Sequence, residues 1–224
     1  MEQATRDYYE WMKVGSRRSA KAVVPFLMEL LVPRAVVDVG CGAGSWLKVF
    51  QEEGVDEVLG LDSVDLGPPL LEIEPESFRT ADLRGGVRLG RTFDLALCQE
   101  VAQYLPAESA EQLVEDLTAL APAVLFSSAI PNQGGEGINP QWPSYWAELF
   151  ERSAYVCVDC VRPRIWETRG VDVWYAQNTL LFADRSLLGE RPALAEEFER
   201  ARGRPLSIVH PRLHEYREEF VRRT

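Results

Sequence analysis

The residues best suited to chemistry stand where an apolar run breaks into glycine. Ala35-Val36-Val37-Asp38-Val39 reads as a buried strand, and Gly40-Cys41-Gly42-Ala43-Gly44 as a turn whose glycines let the backbone bend sharply and approach a ligand. Ser45 to Phe50 resumes as a helix with its N-terminus at the same crevice. A phosphate-cradling dinucleotide turn wants glycine where Ser45 stands, and is poorly served by a carboxylate as near as Asp38. An acidic strand end suits instead a cationic, phosphate-free ligand that carries an amino group. Asp62 closes a second short strand, Glu57-Val58-Leu59-Gly60-Leu61-Asp62, about 20 residues past the turn, where a carboxylate can accept both hydroxyl protons of a ribose. Groups able to take a proton from a poorly acidic nucleophile are Glu100, Glu136, Asp159, His210 and His214. The histidines read more simply as surface or packing residues, because Pro211 allows a helix there only at its first turn.

Val36 to Trp46 resembles the first motif of the class I S-adenosylmethionine-dependent methyltransferases, and the likeness extends over roughly residues 16 to 183. It implies S-adenosyl-L-methionine as cofactor. By the same resemblance Asp38, Gly40, Cys41, Gly42 and Gly44 surround its methionine part, and Asp62 with Ser63 its ribose. Asp82 and Leu83, in Phe78-Arg79-Thr80-Ala81-Asp82-Leu83, fall where relatives meet the adenine. Phe93 to Pro106 resembles the family's FDLVLCxEVxEHLP-type segment, which faces the transferable methyl; Gln99 and Glu100 are therefore the catalytic candidates, Gln99 also touching cofactor, and Tyr104 a substrate contact. Gln103-Tyr104 replaces the Glu-His pair of many relatives, which excludes a histidine base there. The Asn/Asp-Pro-Pro-Tyr signature of enzymes that methylate exocyclic base amines is absent.

Pro131 to Trp146 is too long and glycine-rich for a plain connection. It resembles a loop ending in the N-x-Q-W-P-x-Y-W pattern, here Asn139 to Trp146, of a bacterial small-molecule subgroup; because loops at the carboxyl ends of parallel strands line the ligand crevice, Asn132, Trp142 and Tyr145 are candidate substrate contacts. Gly137-Ile138 stands where the nearest relatives often carry histidine. The plainer reading is that Trp142 to Trp146 cap the following helix against the sheet.

Composition narrows the partners. With 224 residues and a formal net charge of -11, the chain can bury a full core and repels phosphate backbones; Arg17-Arg18 and Arg222-Arg223 are isolated pairs, so no nucleic-acid partner is expected. No segment has the length and apolarity of a membrane span or the order of a signal peptide, which leads us to expect a cytoplasmic protein without a membrane partner. Cys157 and Cys160 lie in a β-branched run rather than a knuckle, and with two histidines in the chain no metal site is expected. The expected partner is a small-molecule acceptor, with a homodimer left open.

Strands alternate with helical segments, so the expected architecture is α/β: a doubly wound, mostly parallel seven-stranded Rossmann-like sheet with an antiparallel edge strand. The expected parts are a helical lid at 1–34, with its periodic stretch at Ser19 to Leu31, a cofactor-binding core at 35–190 and a helical extension at 191–224. Ala107 to Leu120 reads as an amphipathic helix, and Tyr155 to Val161 and Tyr175 to Ala183 as the last two strands. Arg162 and Arg164 could hold an anion or pair with the acidic surface, and Tyr8, Tyr9 and Trp11 could fold over the cofactor. The reading is methyl transfer to a small molecule, at an oxygen of a sugar or natural product. The alternatives are N-methylation of a small amine, a non-catalytic S-adenosylmethionine-binding protein, and an NAD-dependent oxidoreductase.

Overall fold

Seven strands, β1 (Ala35–Val39), β2 (Glu57–Asp62), β3 (Phe78–Thr80), β4 (Leu95–Gln99), β5 (Ala123–Ser127), β6 (Tyr155–Val158) and β7 (Leu180–Asp184), form one sheet in the computed structural model, which describes residues 3–216. Their order is β3-β2-β1-β4-β5-β7-β6. Strands β1 to β5 pair in parallel, while β7 runs against both β5 and β6. The expected doubly wound sheet is therefore present, with the reversed strand one place in from its edge. Because the chain winds outward from β1 in one direction and from β4 in the other, a crevice opens at their carboxyl ends.

Helices cover both faces. On one lie α1 (Gln3–Leu31), α2 (Ser45–Glu52) and later α5 (Arg162–Ile165), α6 (Val173–Asn178), α7 (Arg185–Glu190) and α8 (Pro192–Ala201). On the other, α3 (Ala110–Leu120) and α4 (Pro143–Arg152) bury Leu113, Leu117, Trp146 and Phe150 against Phe126 and Phe182. Phe150 and Phe182 stack with ring centroids 3.9 Å apart. Full burial of each such side chain is worth about 1.5–3 kcal/mol, which is why these faces fix the sheet.

Three elements differ from expectation. Helix α1 begins at Gln3 rather than near Ser19 and passes through Pro25. Ser16, Ser19, Ala20, Val23, Val24, Leu27 and Leu30 are all buried at helical spacing, and that face offsets the lost backbone bond at the proline. Strand β6 ends at Val158, since Val161 already leads into α5. The β-rich run from Val173 is helical to Asn178, burying Tyr175, Ala176, Gln177 and Asn178, and only then becomes strand. Of the expected extension, 217–224, including Arg222-Arg223, lies outside the described residues.

Candidate functional site

The crevice is a cavity of about 1230 Å³. Asp38, Gly40, Cys41 and Gly42 reach it from β1 and its turn, Asp62 and Ser63 from β2, Asp82 and Leu83 after β3, and Gln99, Glu100 and Tyr104 from β4 onward. Tyr8, Tyr9, Met12 and Lys13 of α1 form a wall that the glycine motif does not announce. Its sequence signal is their helical spacing, read only if the helix starts well before Ser19.

The turn is tied to the sheet by Gly40 and Cys41, whose N–H groups both donate to the Leu61 carbonyl at 2.7 and 2.9 Å. Gly40 has φ +87°, and a Cβ there would meet Val101 Cγ2 at 2.2 Å, so both backbone and space demand glycine. Gly44 is not in the cavity wall: it is the residue before α2, with φ +79°, and a Cβ would strike Ile73 at 2.8 Å. Glycine is required there for the start of the helix.

Two carboxylates dominate this end. Asp38 is 2% exposed, and its Oδ1 has no hydrogen-bond partner. Burial, then the charge of Asp62, pushes its pKa up to about 7. Asp62 accepts from the Gly42 N–H at 2.8 Å and the Val64 N–H at 3.1 Å, and hydrogen-bonds the Tyr9 hydroxyl. Burial raises its pKa and these bonds pull the other way. Burial also raises the thiol of Cys41, which makes it a poor nucleophile. Asp82, by contrast, is exposed and bound by Arg84 through Nε and Nη2 at 2.9 and 3.0 Å, which holds its carboxyl below the ordinary range.

Glu100 follows β4 with φ +57°, a left-handed backbone conformation that is strained for a side chain of this size. Its carboxylate is held by amides: Asn178 Nδ2 donates to Oε1 at 2.9 Å, and Gln103 and Gln133 donate to Oε2 at 3.3 and 3.4 Å. Burial nevertheless pushes its pKa up to about 7, the amide bonds opposing. Gln103 also bonds the Glu100 carbonyl at 2.9 Å, and its own carbonyl accepts from Ile138 and Asn139 at 2.8 and 2.9 Å, which ties the 131–142 loop to the site. Sequence reasoning missed this cage because its members come from three distant segments. Gln99 is buried beside it and accepts from Thr179 Oγ1 at 3.3 Å.

The other candidates are elsewhere. Asn132 is exposed, and neither it nor Trp142 nor Tyr145 lines the cavity; Gly135 and Glu136 of the same loop do. Trp142 is the residue preceding α4, Tyr145 packs edge-on to Trp146 at 5.1 Å, and Trp146 sits 5.0 Å from Phe126, so this cluster seats α4 on the sheet. Asp159 and Arg162 form a buried bidentate pair at 2.9 and 2.6 Å, and Arg162 also bonds the Leu206 carbonyl. Arg164 pairs with Glu197 and lies 3.9 Å over Phe26. His210 is buried between the Trp166 carbonyl and the Arg212 N–H. Among the described residues no group of three or more His, Cys, Asp or Glu could hold a metal, and no helix is long and apolar enough to cross a membrane.

The comparisons agree with this geometry. The family model described as a methyltransferase domain matches residues 8–174. No protein of curated function matches the chain at a significant level. Magnesium protoporphyrin IX methyltransferase from Synechocystis PCC 6803, solved with bound S-adenosylmethionine, is similar at TM-score 0.55 and 19% identity over 76% of this chain and 80% of that one. The Burkholderia thailandensis 1,6-didemethyltoxoflavin-N1-methyltransferase, solved with its acceptor and S-adenosylhomocysteine, gives 0.52 and 21% over 77% and 78%. Human N-acetylserotonin methyltransferase gives 0.50 and 13% over 80% and 55%. At such identities the likeness is one of fold.

Proposed function

Because the chain belongs to the methyltransferase-domain family, whose model spans residues 8–174, we propose that its cavity takes S-adenosyl-L-methionine and serves methyl transfer to a small molecule. The observation that carries the reading is the unpaired, buried Asp38 Oδ1 beside a turn whose close approach requires glycine. An ammonium supplies the partner that oxygen lacks, and a buried unpaired carboxylate without one is costly. Asp62 holds the ribose, a carboxylate it shares with Tyr9, and Ser63, Asp82 and Leu83 flank the nucleoside. When bound, the cofactor supplies an electrophilic methyl on a sulfonium.

This chain's own residues position and prepare the acceptor. Glu100, oriented by its amide cage, takes the proton from the attacking heteroatom, and its pKa of about 7 is matched to that task near neutrality. Gln99 and Tyr104 place the acceptor, and the first half of α1 closes over it as a lid, with α8 packing on the core. Asn132, Trp142 and Tyr145 support the loop that delivers Glu136, and the likeness to the N-x-Q-W-P-x-Y-W subgroup rests on that loop. A hydroxyl of a sugar or natural product is the acceptor that the motif resemblance favours. A small amine is the second reading, favoured by the acidity of the wall, since Glu100 and Glu136 both line the cavity.

The test is thermal denaturation with S-adenosylhomocysteine, S-adenosylmethionine and NADH in parallel. A rise in Tm with the first two alone supports the reading. A rise with NADH alone, or with none, contradicts it.

A further inference from the structure

The cavity has two chemically distinct ends. Asp38 and Asp62 flank the glycine turn, while Glu100 and Glu136 stand with Tyr104 and with Tyr8, which lies within the field of both Glu100 and Asp62. The tyrosines are 47% and 49% exposed, their hydroxyls are hydrogen-bonded to each other, and Tyr104 lies within the field of both Glu100 and Glu136. The basic side chains that line the cavity are already committed. Arg84 is bidentate on Asp82, and Lys13 is 3.1 Å from Glu10. Glu100 is the buried carboxylate of this set, held by the side-chain amides of Asn178, Gln103 and Gln133 while it lines the cavity.

Resting on the proposed cofactor at the Asp38 end and on the second of the two acceptor readings above, which the cavity wall rather than the motif resemblance favours, we infer that the outer end, formed by Glu100, Glu136, Tyr8 and Tyr104, recognises an acceptor that carries a protonated amine, in preference to an alcohol or an anion. An anionic acceptor would place a like charge beside two carboxylates, and the cations among the described lining residues, Lys13 and Arg84, are already paired with acids. An ammonium meets both carboxylates and the faces of two tyrosines, a pairing of charge and aromatic rings that favours cations. Proton transfer then releases the nucleophile: an N–H bond of the ammonium breaks, an O–H bond forms on Glu100, and the electron pair stays on nitrogen. A carboxylate removes such a proton far more readily than that of an alcohol, whose conjugate base is much stronger.

The test is calorimetric titration of the protein, saturated with S-adenosylhomocysteine, with benzylamine, benzyl alcohol and benzoate at about pH 7.5, where an alkylamine is charged. Benzylamine is expected to bind roughly 10-fold more tightly than the alcohol, with benzoate undetected. Glu136→Gln, on an exposed loop, and Glu100→Gln should each cut that advantage to within about 3-fold. Equal or tighter binding of the alcohol or benzoate, no binding of any of the three, or an advantage that survives both substitutions would overturn the inference while leaving the cofactor reading intact. Failure to take up S-adenosylhomocysteine at all would sink both.

Discussion

The two walls of the cavity are built by different means. The inner wall is made by neighbours in sequence: Asp38 and Gly40 to Gly42 lie on one strand-turn unit, and Asp62 ends the next strand, bonded to the Gly42 N–H at 2.8 Å. The outer wall is assembled at long range. Glu100 depends on Asn178, 78 residues away, and on Gln133, while Tyr8 reaches Tyr104 from the far end of the chain. The inner wall can therefore serve any member of a family with one cofactor. The outer wall is free to vary, which is where an acceptor is chosen.

The contrast can be broken or sharpened by substitution. The largest effect should come from Glu100→Gln, which is expected to lower turnover by roughly 100- to 10,000-fold while affinity for S-adenosylhomocysteine stays within about 3-fold. A matching loss of affinity would mean that the walls are not separate. On the inner wall, Asp62→Ala removes the acceptor of charge-assisted bonds and should weaken S-adenosylhomocysteine by about 2–3 kcal/mol, near 100-fold, in a calorimetric titration.

A smaller effect is set by pH. The Asp38 pKa rises from 3.8 to about 7 on folding, so its protonated form is the one the empty fold favours. That contribution to stability is complete at acid pH, below the unfolded value, and is lost as pH rises through about 7. A bound ammonium reverses the preference, because it needs the ionised carboxylate. Affinity for S-adenosylhomocysteine should accordingly climb by up to about 10-fold per pH unit below neutrality, and Asp38→Asn should flatten the slope. A slope unchanged in that variant would remove Asp38 from the binding site.

The smallest effect is expected at Trp142, which is 39% exposed and outside the cavity. Trp142→Ala should leave cofactor affinity unchanged and turnover within about 3-fold. A large loss of turnover would return the loop aromatics to the acceptor site.

What the sequence disclosed follows the same division. The strand and glycine turn around Asp38 were legible because glycine at positive φ and a buried β-branched run are local requirements that leave local marks. The doubly wound, mostly parallel sheet followed from alternating elements, though its strand order did not. The N-terminal segment read as helical, but that one helix runs unbroken from Gln3 was not marked, because only Ser19 to Leu31 carries an apolar period while the first half is polar and aromatic. The helix over Val173–Asn178 looked like strand, since its β-rich residues are overruled by the tertiary positions of Tyr175 and Asn178. In the 131–142 loop the eye falls on Trp142, yet Glu136 is the side chain that reaches the cavity.

The most direct test of the account is a calorimetric titration of S-adenosylhomocysteine, with NADH as control, into the protein and its Asp62→Ala variant. One-to-one binding in the micromolar range, lost in the variant and absent for NADH, is the predicted result. No binding of S-adenosylhomocysteine, or binding indifferent to Asp62, would contradict the claim that the glycine turn and its two carboxylates hold the methyl donor.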